Sequence, residues 1–169
     1  GNPDKVSAYI GTCKQMGIKV LPPDINRGFG NFSTCDEGIL FCLSAVKSVG
    51  KQVIEDIVNE RSKNGDFVSL NDFINRMYQS INSRAIENLI LCGAFDSLGG
   101  KRSQYMNIYL AIYDGVKNNA KNNIAGQMDL FGMAEDVPKA ERDKDVLPEM
   151  DEFPDKYKFS KEKEILGVY

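Results

Sequence analysis

Two short stretches of this sequence have the residue types that bind phosphate. Residues 47–51 read KSVGK and residues 80–84 read SINSR. Each joins small or turn-forming residues (Ser48, Val49 and Gly50; Ser80, Ile81, Asn82 and Ser83) to basic ones (Lys47 and Lys51; Arg84). If each stretch leads into a helix, the first backbone N–H groups of that helix lack intrahelical acceptors. Together with the helix dipole they suit an anion. A glycine or another small residue lets a phosphate come close. A third stretch, QMDLF at 127–131, has a different character. Leu130 and Phe131 follow Gln127, Met128 and Asp129, just after the polar run VKNNAKNN, and their spacing is neither helical nor strand-like. Such a pair suits an apolar pocket, on another protein or on the chain's own helices.

Other chemistry is poorly provided for. The 169 residues contain no histidine, which removes Ser-His and Cys-His nucleophilic catalysis. Cys13, Cys35, Cys42 and Cys92 form no C-x-x-C pair, so a zinc site is not expected; buried thiols are. The acids are expected mostly in the tail or on solvated helix faces, with no cluster suggesting a catalytic metal centre. Residues 134–164 hold 11 acidic and 7 basic side chains, a balance of −4 within a chain of −3, so the remainder carries +1. That remainder is not the strongly basic surface of many nucleic-acid binders, and a modest grip led by backbone groups fits it better. No apolar run approaches the ~20 residues of a membrane span. The first residues lack a basic, then apolar, leader, so a cytoplasmic location is the default expectation.

The elements that would position these stretches are mostly helical. In residues 4–16, Val6, Tyr9, Ile10, Cys13 and Met16 recur at three- and four-residue steps, which predicts an amphipathic helix ending at Gly17. IKVLPP predicts a short strand stopped by Pro22 and Pro23. FGNFSTCDEGILFCL predicts two more strands around a turn at Asp36–Gly38. From Ser44 onward helices with short connections are expected. Residues 47–58, KSVGKQVIEDIV, repeat at 79–90 as QSINSRAIENLI, an offset of 32. Such a repeat is one supersecondary unit burying its apolar face against its copy. Each copy reads as helix, tight turn, helix: LSAVK, the turn, then KQVIEDIVNERSKNG in the first, and LNDFINRMY, capped by Ser69 with Asp72 three residues on, then SRAIENLILCG in the second. A further helix carries Tyr105, Tyr109, Ile112, Tyr113 and Val116 on one face. From Lys117 the periodicity stops and the composition becomes that of a linker, with a helix possible again near KEKEIL. On the residues alone, the hairpins are either a phosphate grip or simply helices packed on one another.

The ordered series VLPPDIN, two hairpin units, GAFD and QMDLF resembles the alpha-subunit family of bacterial DNA polymerase III, the replicative polymerases of the C family. The resemblance implies a mainly α fold: a tandem helix-hairpin-helix bundle with a short N-terminal β element and a flexible acidic C-terminal segment. Residues 1–40 would end the fingers region. Residues 41–117 would hold duplex DNA through Lys47, Ser48, Val49, Gly50, Lys51, Ser80, Ile81, Asn82, Ser83 and Arg84. Residues 118–136 would carry the sliding-clamp-binding motif Gln127, Met128, Asp129, Leu130 and Phe131. Residues 137–169 would be a charged linker toward an oligonucleotide-binding domain. No catalytic residue, metal or cofactor falls to this chain; the parent polymerase is expected to use Mg2+. Duplex DNA, the sliding clamp (beta subunit) and other replisome subunits are the expected partners, with no membrane. Two departures stand out. The family pattern favours Gly-x-Gly in the first turn, where Ser48 takes the first place, and the second turn, Ser80-Ile81-Asn82, has no glycine. Asn82 is expected to keep that turn by accepting a left-handed conformation. Two other classes compete: a tandem-hairpin module of a repair ligase or nuclease, against which VLPPDIN and QMDLF speak, and a purely protein-binding helical domain, which a salt-dependent duplex-binding assay separates.

Overall fold

The computed structural model describes residues 3–124 and 144–167, with side chains for 8–121 and 144–167. Gln127–Phe131 therefore lie outside the described residues.

The N-terminal part forms helix α1 (Pro3–Gln15) and strands β1 (Val20–Leu21), β2 (Ser33–Cys35) and β3 (Gly38–Leu40). The sheet order is β1-β3-β2, with β1 parallel and β2 antiparallel to β3; Val20 lies opposite Ile39, and Cys35 opposite Gly38. Helix α1 ends as its glycine predicts: Gly17 has φ +76° and the Ile18 N–H donates to the Cys13 carbonyl. Its buried stripe is narrower than the periodicity suggests. Ile10 and Cys13 are buried, but Tyr9 is half exposed and Met16 is exposed.

The PPDIN stretch fastens this part to the rest. The Asp24 carboxylate accepts from the N–H groups of Asn26 and Arg27, folding the chain into a tight turn. The turn projects Asn26, whose amide pairs with both backbone groups of Phe67: it accepts from the Phe67 N–H at 2.8 Å and donates to the Phe67 carbonyl at 2.9 Å. Next to it the Ile25 N–H donates to the Ala94 carbonyl, and Arg61 donates to the Ile25 carbonyl. Ala94 belongs to GAFD, so two of the motifs noted in the sequence are in direct contact.

The helical part contains α2 (Lys51–Asn64), α3 (Leu70–Met77), α4 (Ser83–Leu91) and α5 (Arg102–Ile124). Ser69 caps α3 by accepting from the Asp72 N–H at 2.9 Å, while the Asp72 carboxylate reaches back to Val68. A ladder of rings runs through the core: Phe67 to Phe73, Phe73 to Phe95 and Phe95 to Tyr105, with centroids 4.9, 5.0 and 6.3 Å apart. The first two are edge-to-face contacts, which add to what burial of the rings contributes. On α5, Tyr105 and Tyr113 are buried, and Tyr109, Ile112 and Val116 pack partly against the core.

Three expectations need correction. The first hairpin has no full opening helix: LSAVK forms only a single 3₁₀ turn, Leu43–Ala45, before an extended Val46. Helix α5 does not stop near Lys117 but continues to Ile124. Hydrophobic periodicity registers a helix only where it has a face to bury, and residues 117–121 are largely exposed. The third concerns the acidic tail. Residues 144–154 form a strap across the bundle, and α6 (Asp155–Leu166) follows it, with Ile165 and Leu166 in the core. Asp145 accepts from the N–H groups of Leu70 and Asn71 at the start of α3, both at 2.8 Å. Glu152 accepts from those of Arg102 and Ser103 at the start of α5, at 2.9 and 3.0 Å. These acids are long-range helix caps, placed where the dipoles favour negative charge. Charged-linker composition therefore does not describe residues 144–167.

Candidate nucleic-acid interface

The first turn, Lys47–Lys51, enters α2 through Gly50, the N-cap residue, which is extended and supplies no side-chain cap. The first N–H groups of α2, those of Lys51, Gln52 and Val53, have no intrahelical acceptors. Lys47, Ser48, Gly50 and Lys51 are exposed, while Val49 is buried. No ion pair engages Lys47 or Lys51 among the described residues. An open groove runs beside the turn, lined by Gly30, Asn31, Ser44, Val49, Lys51, Ile54, Glu55, Val58 and Asn59. The site thus has a bare helix start and two cations that no ion pair engages among the described residues.

Ser48 explains why a glycine suits this turn. Its φ is +70°, the only positive φ of a non-glycine residue among those described. The left-handed region costs an ordinary L-residue about 1–2 kcal/mol. Ser48→Gly is therefore expected to raise unfolding stability by about 0.5–1 kcal/mol, after allowance for the greater freedom of glycine in the unfolded chain. Chemical denaturation measures this as a higher midpoint at unchanged slope. A lower midpoint would mean that the serine side chain contributes more than its backbone strain costs.

The second turn, Ser80–Arg84, is built differently. Asn82 is not left-handed: it has φ −99° and ψ 169°, and its side-chain oxygen accepts from the Ala85 N–H at 2.8 Å. It is an ordinary N-cap, and it uses up one of the N–H groups that a phosphate would need. The N–H groups of Ser83 and Arg84 stay without intrahelical acceptors. Ile81 is buried, like Val49 at the matching place in the repeat, and its carbonyl accepts from the Tyr113 hydroxyl at 3.1 Å. Val49 and Ile81 thus anchor the two turns in the core and can offer a ligand only backbone groups. Ser80, Asn82 and Arg84 are exposed and Ser83 is half-buried. Of the two sites, the first is the more open to an anion.

Cys13, Cys42 and Cys92 are buried free thiols, and Cys35 is half-buried. Full burial pushes the Cys92 thiol up to about 12, so it is a packing residue and not a nucleophile.

Two turn-and-helix units, each anchored by an apolar residue and each presenting the start of its second helix, define a tandem helix-hairpin-helix domain. Residues 17–105 match the family model of the helix-hairpin-helix motif, and the chain belongs to that family. Among whole proteins its relatives include DNA polymerase III alpha subunits. It is 39% identical over 173 residues to DNA polymerase III subunit alpha of Vibrio cholerae. It is 37% identical over 172 residues to that of Saccharopolyspora erythraea, and 36% over 170 to that of Escherichia coli. Each match covers 99% of this chain and 14% of the relative. The chain thus corresponds to a small part of the relatives it matches.

Proposed function

We propose that this chain is a non-catalytic segment of a bacterial replicative DNA polymerase, one that holds duplex DNA without sequence preference and docks the sliding clamp. The uncapped start of α2, flanked by Lys47 and Lys51, carries the first half of the reading. Backbone N–H groups bind phosphates but distinguish no bases, so contacts of this kind position a protein and do not read sequence. The similarity to polymerase III alpha subunits supports the setting, a cytoplasmic replication machine with further subunits around it. The second half rests on Gln127–Phe131, whose residues resemble a clamp-docking peptide. Nucleotidyl transfer needs carboxylates holding two metal ions about 4 Å apart. We assign no acid of this chain to that task, and the Mg2+ belongs to the catalytic region of the parent.

Fluorescence anisotropy with labelled duplexes tests the DNA half. Weak binding is expected, equal for unrelated sequences, falling with salt at a shallow slope that corresponds to roughly 2–4 neutralised phosphates. Lys51→Glu combined with Arg84→Glu is expected to weaken binding at least tenfold at low salt. A duplex affinity indifferent to salt and to both reversals would refute the phosphate grip and favour a protein-binding helical domain.

A further inference from the structure

The first turn is held from outside its own hairpin. Lys47, which leads into it, has both backbone polar groups engaged at a distance in sequence. Its carbonyl accepts from the Asn88 side-chain amide of α4 at 2.8 Å, and its N–H donates to the Ile165 carbonyl at the end of α6 at 3.2 Å. Asn88 is only 8% exposed. On either side Val46 and Val49 are buried, and between them Ser48 sits in its left-handed conformation. The repeat makes Asn88 informative, because the equivalent position in the first copy is Asp56. A carboxylate has no hydrogen to offer a carbonyl. Asp56 instead accepts from Gln52 on its own helix, and the second turn is held by the Tyr113 hydroxyl of α5. The cross-link between the copies therefore runs one way, from α4 to the first turn.

We infer that Asn88 is a positioning residue for phosphate binding at the first turn, and that α6 completes this support through Ile165. Fixing both peptide groups of Lys47 sets the path of residues 48–50. That path determines where the free N–H groups of α2 stand relative to the Lys47 and Lys51 side chains. A turn assembled before binding spares the complex the cost of ordering it. The inference rests on the proposal that this turn grips duplex DNA, and it makes the C-terminal helix part of the binding unit.

The test uses the full chain, a labelled duplex and backbone amide exchange. Asn88→Ala is expected to weaken duplex binding about tenfold while leaving the salt slope unchanged, because no phosphate-facing cation is removed. The Lys47 and Val49 amides should exchange faster, with the Ala85 amide at the second turn unaffected. Asn88→Asp, which sets an acceptor against an acceptor, should do more. Asp56→Ala, at the matching place in the repeat, should stay within twofold of wild type. A lowered melting temperature with affinity within twofold of wild type, or with unaltered exchange at Lys47 and Val49, would overturn the inference by reducing Asn88 to a packing residue. If Asn88→Asp does not fold, Asn88→Ala decides alone. A wild-type chain that binds no duplex would remove both this inference and the reading beneath it, whereas a wild type that binds beside an unaffected Asn88→Ala removes only the inference.

Discussion

Arg102→Met is expected to destabilise the fold by about 3–5 kcal/mol, the range for removing one partner of a buried ion pair. Arg102 is 4% exposed and stands at the first position of α5. Its guanidinium donates to both Asp96 oxygens, at 3.1 and 2.9 Å, and to the Leu91 carbonyl at 3.2 Å, and it lies 2.7 Å from Glu162 of α6. It therefore joins the end of the second hairpin, the start of α5 and the C-terminal helix at one buried point. Asp96 is 42% exposed in its side chain and can turn to water when the arginine is lost. Glu162, at 6%, cannot, and its charge would remain in a dry site. The loss should lower the melting temperature by roughly 6–20 °C for a chain of this size. Arg102→Met combined with Glu162→Leu should recover most of it, since an apolar pair of similar volume replaces a buried ion pair at little cost. The second Glu162 oxygen, which has no hydrogen-bond partner among the described residues, points the same way. A single-variant loss below about 1 kcal/mol would show that the clasp carries little of the stability.

The strap that caps the start of the same helix should loosen in acid. Burial pushes the Glu152 carboxyl up, but the N–H groups of Ser103, Arg102 and Phe153, with Lys158 nearby, outweigh it and hold the carboxyl below its ordinary value. A carboxyl held low in the fold stabilises fully above its unfolded pKa, and that contribution is lost as pH falls through the folded value. The strap is thus firm at neutral pH and weakens below about pH 4, near and under the ordinary glutamate value.

What could be read from the sequence follows the range of the interactions involved. Helix α1, the strand pair around Asp36 and the Ser69 cap depend on residues within a few positions of one another, and all were legible. So were both turns, because the 32-residue repeat puts Val49 and Ile81 in register. The strap was not. Asp145 caps Leu70 from 75 residues away and Glu152 caps Arg102 from 50, so their local context shows only charge and proline. Composition alone does not distinguish an acid that caps a distant helix from one in solvent. Asn88 was invisible for a related reason: it reads as the polar face of a short helix until the fold places it against Lys47. Asn82 is a residue type that tolerates a left-handed backbone, but the helix that follows uses its side chain as a cap. Where a residue has two local uses, the neighbouring element decides between them.

Leu130→Ala with Phe131→Ala is expected to abolish capture of the chain by the sliding clamp while leaving its melting temperature and duplex affinity unchanged. The ring ladder from Phe67 to Tyr105 and the packed faces of α5 and α6 are expected to persist in this variant. Each of the two side chains gains about 1.5–3 kcal/mol on entering an apolar pocket. Gln127 adds a donor and an acceptor for pocket backbone. Ordering about five residues costs ~1–2 kcal/mol each, as much as the two side chains gain, so the isolated contact is expected to be weak. Duplex DNA passing through the clamp and held by the hairpins would raise the effective affinity through tethering. Capture should accordingly be far stronger with clamp loaded on DNA than with clamp alone, and Lys51→Glu with Arg84→Glu should erase that difference while leaving the weak direct contact. Surface plasmon resonance against immobilised clamp, with and without duplex, measures both. If Leu130→Ala with Phe131→Ala instead lowers the melting temperature by several degrees and leaves clamp binding intact, the pair belongs to the fold and the docking assignment fails.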